Sequence, residues 1–171
     1  MNQIKSLVYH YKFWLVLQLL CLVIGCYVGW GTILRDVQFY CLNEAKGLDA
    51  LLTFSGTVTK NPLLTPCFWG TISFTFCAGW TVRLLVLKDE LRRKQEQRKL
   101  MYLLIGSTLF ALFNNMPLFY RFYTTPKGTA TSCSPGKLMT SPFRTSCFYG
   151  FSAFFAATVC AWMGRHFAKN R

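Results

Sequence analysis

Acidic residues are the scarcest class in this chain: six Asp and Glu stand against nineteen Lys and Arg in 171 residues, for a net charge of +13. None of the six falls in any of the four long apolar blocks of the sequence. Proton- and cation-coupled carriers keep ionisable groups at membrane depth because those groups do the work. Their absence argues against a pump or a proton-driven carrier. Other signals are missing too. There is no C-x-x-C, no H-x-x-x-H and no N-x-S/T sequon. The histidines, His10 and His166, lie far apart without a second ligand at metal spacing, so no metal or cofactor is expected. A Ser-His-Asp set cannot be assembled, since the acids and the histidines sit in different parts of the chain. The basic residues form neither one face nor a long arm, so nucleic acid is not an expected partner.

Charged residues make up 15% of the chain, against about 25% in an ordinary soluble domain. The apolar share is 53% and the aromatic share 17%. A helix crossing a hydrocarbon core of about 30 Å needs about 20 apolar residues. Four blocks qualify: 13–31, 66–87, 100–119 and 145–164. They are too long for barrel strands, which need about ten residues of alternating polarity, and they lack the apolar stripe of a surface helix. The expected fold is therefore an all-α integral membrane protein, a single domain forming a four-helix transmembrane bundle. Trp14, Trp30, Trp69, Trp80 and Trp162 stand toward block ends, where indoles favour the headgroup level. No internal repeat is expected.

The basic residues set the orientation. The link 88–99 carries Lys88, Arg92, Arg93, Lys94, Arg98 and Lys99, and the C-terminal stretch adds Arg165, Lys169 and Arg171. The segment 32–65 balances its three bases with Asp36, Glu44 and Asp49, and 120–144 has four bases over a longer span. Dense short basic links stay in the cytoplasm. Both termini are then cytoplasmic, and 32–65 and 120–144 are outer loops without the length for a core of their own. Arg83, the one charge within a block, can snorkel to the headgroups.

The first block raises a question of processing. Nineteen uncharged residues are long for a cleaved signal, and no Ala-x-Ala follows. "LVIGC", Leu22–Cys26, resembles a bacterial lipobox, but apolar chain continues beyond it, and an uncleaved first helix is the plainer reading. Within it Gly25 and Gly29 form a small-residue face, as do Gly150, Ala153 and Ala157 in the fourth block. Such faces let helices approach where lipid supplies no hydrophobic drive between them. Gln18, Asn114 and Asn115 supply amides for interhelical hydrogen bonds. Pro117 is expected to bend its helix and free a carbonyl for Asn114 or a neighbour.

Eight cysteines are present. Cys21, Cys26, Cys77 and Cys160 fall inside blocks, where a thiol packs as a small apolar group. Cys41, Cys67, Cys133 and Cys147 lie toward the outer side, where an oxidising compartment permits disulfides. Cys133–Cys147 is the expected pair, and Cys41–Cys67 a weaker one.

The expected function is non-enzymatic: a small multi-pass protein of a bacterial inner membrane, meeting the lipid bilayer and either another integral membrane protein or further copies of itself. In layout it resembles immunity proteins against pore-forming bacteriocins and plasmid entry-exclusion proteins, and assembly factors of membrane complexes fit the same outline. Two alternatives stand beside this. One is a thiol–disulfide oxidoreductase using the outer-face cysteines, since membrane thiol oxidases have a comparable layout. The other is a small oligomeric channel lined by Gln18, Asn114 and Asn115.

Overall fold

A computed structural model of the chain describes residues 2–43, 62–126 and 139–169. Among these, four α-helices account for almost all of the structure and no strand occurs: α1 (Asn2–Asn43), α2 (Pro66–Val86), α3 (Glu90–Thr124) and α4 (Ser146–Lys169). Three stretches, Tyr11–Leu42, Glu90–Thr124 and Ser146–His166, are long and apolar enough to cross a membrane.

The starts of α2 and α3 have local causes. The Thr65 hydroxyl accepts from the Phe68 amide and Pro66 fills the first turn of α2, where a missing N–H costs nothing. Asp89 caps α3, accepting from the amides of Leu91 (3.0 Å) and Arg92 (3.4 Å). Between α2 and α3 the chain therefore leaves helix across Leu87, Lys88 and Asp89 alone, and the basic link 88–99 is helical from Glu90 onward. The expected outer loop 32–65 likewise begins as helix, because α1 runs unbroken to Asn43. Thr32, Ile33 and Tyr40 are buried at helical spacing, so the inner stripe continues past the charged pair Arg35–Asp36. Helix α3 also passes its expected end at Phe119 and closes at Thr124.

The helices form a ring in which α1 packs on α2 and α4, and α3 packs on α4 and α2. The seam between α1 and α4 is the most extensive of the four, and that between α2 and α3 the sparsest. Along α1 the inward positions are Tyr11, Leu15, Gln18, Leu22, Gly25, Gly29 and Thr32, alternating steps of four and three. Along α4 they are Gly150, Phe154, Ala157, Ala161 and Gly164. This is the spacing of a coiled coil, with small and polar residues taking many inward positions. Large apolar side chains such as Leu20, Ile24, Tyr27, Phe76 and Phe113 point outward instead. The inward stripe thus mixes large apolar residues with small and polar ones while the outward faces are apolar as well, which is why apolar periodicity does not reveal it.

A repeat also exists, contrary to expectation. Pro62–Phe74 and Pro142–Phe154 match at Pro62/Pro142, Thr65/Thr145, Cys67/Cys147, Phe68/Phe148, Gly70/Gly150 and Phe74/Phe154. The geometry repeats with the residues. Pro62–Leu64 and Pro142–Arg144 each form a short 3-10 turn ending in a threonine cap. The Thr65 hydroxyl donates to the Pro62 carbonyl at 2.6 Å, and that of Thr145 to Pro142 at 2.8 Å. The amides of Phe68 and Phe148 donate back to those hydroxyls at 3.4 and 3.3 Å. Leu22-x-Ile24-Gly25 and Leu103-x-Ile105-Gly106 are a fainter echo in the preceding helices. The chain is thus two hairpins, α1–α2 and α3–α4, whose second helices begin with the same turn, cap and residues.

Candidate functional site

Every seam of the ring carries a polar contact. Gln18 Nε2 donates to Thr81 Oγ1 (2.9 Å) and Trp30 Nε1 to Thr75 Oγ1 (3.1 Å), joining α1 to α2. The hydroxyls of Ser73 and Ser107 meet at 2.8 Å between α2 and α3, and those of Thr108 and Thr158 at 2.9 Å between α3 and α4. Thr32 and Ser146 join α1 to α4 at 3.0 Å. At the basic end the Tyr11 hydroxyl donates to Gln97 Oε1 across the bundle (2.8 Å). The Trp30 indole therefore bonds into the bundle, and its N–H is not available to headgroups.

The expected packing face closes these same seams. A Cβ on Gly25 would fall inside the Phe74 ring, and one on Gly29 would collide with the Thr71 hydroxyl. Phe74 stacks on Phe154 with ring centroids 3.6 Å apart and planes 11° from parallel. The repeated phenylalanines thus meet each other, and Gly150 lies beside the Phe74 ring. Ala157 is fully buried in the same cluster, and Ala153 packs against it.

At the end of the bundle away from the basic link lies a cavity of about 60 Å³, roughly two waters by volume. Gly25, Gly29, Thr71, Phe74, Asn114, Asn115, Gly150 and Phe154 line it, together with Cys67 and Cys147. Asn115 is 4% exposed; its Nδ2 donates to the carbonyls of Ala111 (2.7 Å) and Cys147 (3.1 Å). Its Oδ1, buried, has no hydrogen-bond partner among the described residues. Asn114 instead bonds within its own helix, to the Phe110 carbonyl at 2.8 Å. The carbonyl that Pro117 deprives of its amide is that of Phe113, so Asn114 does not replace that bond as expected.

The cysteines at this end meet in an unexpected pair. Cys67 is a free thiol, and so is Cys41, so the weaker expected pair is not formed. Cys147 is disulfide-bonded; Cys133, the partner expected for it, lies outside the described residues. The Cys67 Sγ stands 2.9 Å from the Cys147 Sγ. Both are half-buried and each is the second residue of its helix. The repeated P-x-x-T-x-C-F was the signal that could have paired them. Phe119, Phe143 and Phe148 hold the second turn against α3, with centroids 5.1 to 6.1 Å apart.

Elsewhere the expected residues lie apart from this site. Gln18 and Asn115 are separated along the bundle by Leu22, Cys77 and the Phe74–Phe154 stack, so they line no common path. Cys26 sits within continuous helix, its Sγ 3.9 Å from Thr75 Oγ1. In the basic cluster Arg93 lies over the Tyr11 ring at 5.0 Å and reaches Glu90 at 3.5 Å, and Lys99 pairs with Glu96 at 3.0 Å. Arg92, Lys94 and Arg98 are exposed. Arg83 is exposed in the last turn of α2, where a cation suits the helix dipole.

A groove marks the sparse seam between α2 and α3. It has a volume of about 370 Å³ and is lined by Trp69, Gly70, Ser73, Tyr102, Gly106 and Ser107 among others. A Cβ on Gly70 or Gly106 would meet nothing within 4 Å. The α1–α4 seam closes tightly, so the two seams between the hairpins are unequal. Compared with known proteins, the chain matches no family model, no curated protein and no solved structure.

Proposed function

We propose that this chain is a non-enzymatic, four-span protein of a bacterial inner membrane that acts by helix contact with another membrane protein. Immunity, exclusion and assembly factors act in this way. The fourth span is α2, whose 21 residues reach about 31 Å. Its polarity is muted because Thr71, Thr75 and Thr81 donate to carbonyls of their own helix at 2.8 to 3.0 Å. The basic helix start at 90–99 supports a cytoplasmic α2–α3 turn and cytoplasmic termini.

The observation that carries the reading is the uncovered glycine pair Gly70 and Gly106. Glycines at membrane depth serve close helix approach. Gly25 and Gly29 serve it inside the bundle, whereas Gly70 and Gly106 face an open groove. A transmembrane helix of a partner is the occupant that this pairing suits. A photo-crosslinking residue in place of the exposed, groove-lining Tyr102 tests it in cells. A discrete protein adduct that Gly106→Leu abolishes, with the fold retained, is the expected outcome. Adducts to lipid alone reject the reading. A second reading, chemistry at thiols of the outer face, is favoured by one observation: the approach of Cys67 to the disulfide-bonded Cys147. A channel lined by Gln18 and Asn115 draws no such support.

A further inference from the structure

Cys67 and Cys147 are equivalent residues of the repeated segment, and the fold brings them together. One is a thiol and the other half of a disulfide, 2.9 Å apart at the mouth of the outer cavity. Thiol–disulfide exchange needs a thiolate placed against one sulfur of a disulfide, with the other sulfur free to leave. Resting on the second reading above, we propose that Cys67 and Cys147 form an internal exchange site, at which the disulfide of Cys147 passes to Cys67.

The step balances without an outside oxidant. The Cys67 thiolate attacks the Cys147 Sγ, the Cys67–Cys147 bond forms, and the bond from Cys147 to its original partner breaks. That partner's sulfur leaves as thiolate and takes up the proton that Cys67 gave away. The sulfurs need close only from 2.9 Å to about 2.05 Å. The product ties the starts of α2 and α4 across the bundle and frees the thiol of the original partner. That thiol is the group a cysteine-bearing client, or a small disulfide such as oxidised glutathione, would engage. The same fold thus has two covalent states: one tethers the start of α4 elsewhere in the chain, and the other staples the two repeats to each other over the cavity. The Asn115 amide, bonded to the Cys147 carbonyl at 3.1 Å, holds the attacked residue in place in either state.

The full chain in detergent, equilibrated in glutathione buffers from reducing to oxidising, tests this. Thiols are trapped with N-ethylmaleimide under acid quench, and linked peptides are mapped by mass spectrometry without reduction. Two linkages are expected, Cys147 with its original partner and Cys67–Cys147, their ratio shifting together with the thiol freed. Cys67→Ser should abolish the second and leave the first. If Cys147 exchanges with glutathione but never with Cys67, the relay is refuted while outer-face thiol chemistry stands. If Cys147 exchanges with neither across the whole range, both fall.

Discussion

Two glycines in the same local setting should respond oppositely to one added methyl group. Gly25 and Gly106 each end a Leu-x-Ile-Gly stretch in a long apolar helix, so intrinsic helix preference treats them alike. Gly→Ala in a helix interior gains about 0.5–1 kcal/mol from propensity when nothing obstructs the methyl. At Gly106 nothing lies within 4 Å, and that gain should be realised. At Gly25 the methyl would lie inside the Phe74 ring, and Phe74 is itself pinned by its stack on the fully packed Phe154. The ring cannot swing away without breaking the stack or parting α1 from α2. Overpacking of this kind costs about 1–3 kcal/mol. Against the propensity gain, Gly25→Ala should be destabilised by up to about 2.5 kcal/mol net, and the two variants should differ by about 1–3 kcal/mol. Reversible unfolding in mixed micelles, followed by helical circular dichroism across a denaturing-detergent titration, measures both midpoints. Equal shifts of the two variants, or a Gly106→Ala as damaging as Gly25→Ala, would refute the packing argument.

Breaking the Gln18–Thr81 bond should depend on which partner is removed. Gln18→Leu loses a 2.9 Å bond but also removes a buried Oε1 that has no partner, so its cost stays within about 1 kcal/mol. Thr81→Val leaves the whole amide unsatisfied and should cost more, about 1–3 kcal/mol; the reverse order in the same titration would overturn this. Removing the α3 cap, Asp89→Ala, should cost about 1 kcal/mol and fray the helix from Glu90, read as faster amide exchange over 90–93. The Glu96 carboxyl titrates below the usual glutamate range, chiefly through its hydrogen bond from Lys99. A depressed carboxylate pKa adds stability that is present above the unfolded value and lost as pH falls through the folded one. Lys99→Gln should therefore raise the Glu96 pKa toward the ordinary range in a carbon NMR titration and weaken that acid-range dependence. Reporter fusions after Lys94 and after the C-terminal residue should fall on the same side of the membrane, and opposite sides would invert the proposed topology.

Much of the fold was legible in composition alone, because a block such as Leu100–Phe119 is too long for a strand and, as a helix, long and apolar enough to cross a membrane. Helix ends were less so. Charge at Arg35–Asp36 and at 88–99 suggested loops, yet a helix tolerates charge on an outward face. Inward Ile33 and Tyr40 carry α1 onward, and the Asp89 cap starts α3 within the basic run. The glycine face was legible because small residues at four-residue spacing have one strong physical use. Which helix it would meet was not, since nothing in Gly25 or Gly29 names Phe74 or Thr71. The pairing of Cys67 with Cys147 lay hidden for a further reason. Eighty positions separate them, and only the match of their whole surroundings, proline turn, threonine cap and phenylalanine, brings them into equivalence.

Covalent continuity between the hairpins has a consequence for what their seams can become. Two separate, identical hairpins joined about a twofold axis must make both mutual seams alike, so tightening one tightens the other. Once both reside in a single polypeptide, each copy can drift independently. One junction can then be welded shut for durability while its counterpart is left ajar, an inequality that a symmetric dimer has no means to encode.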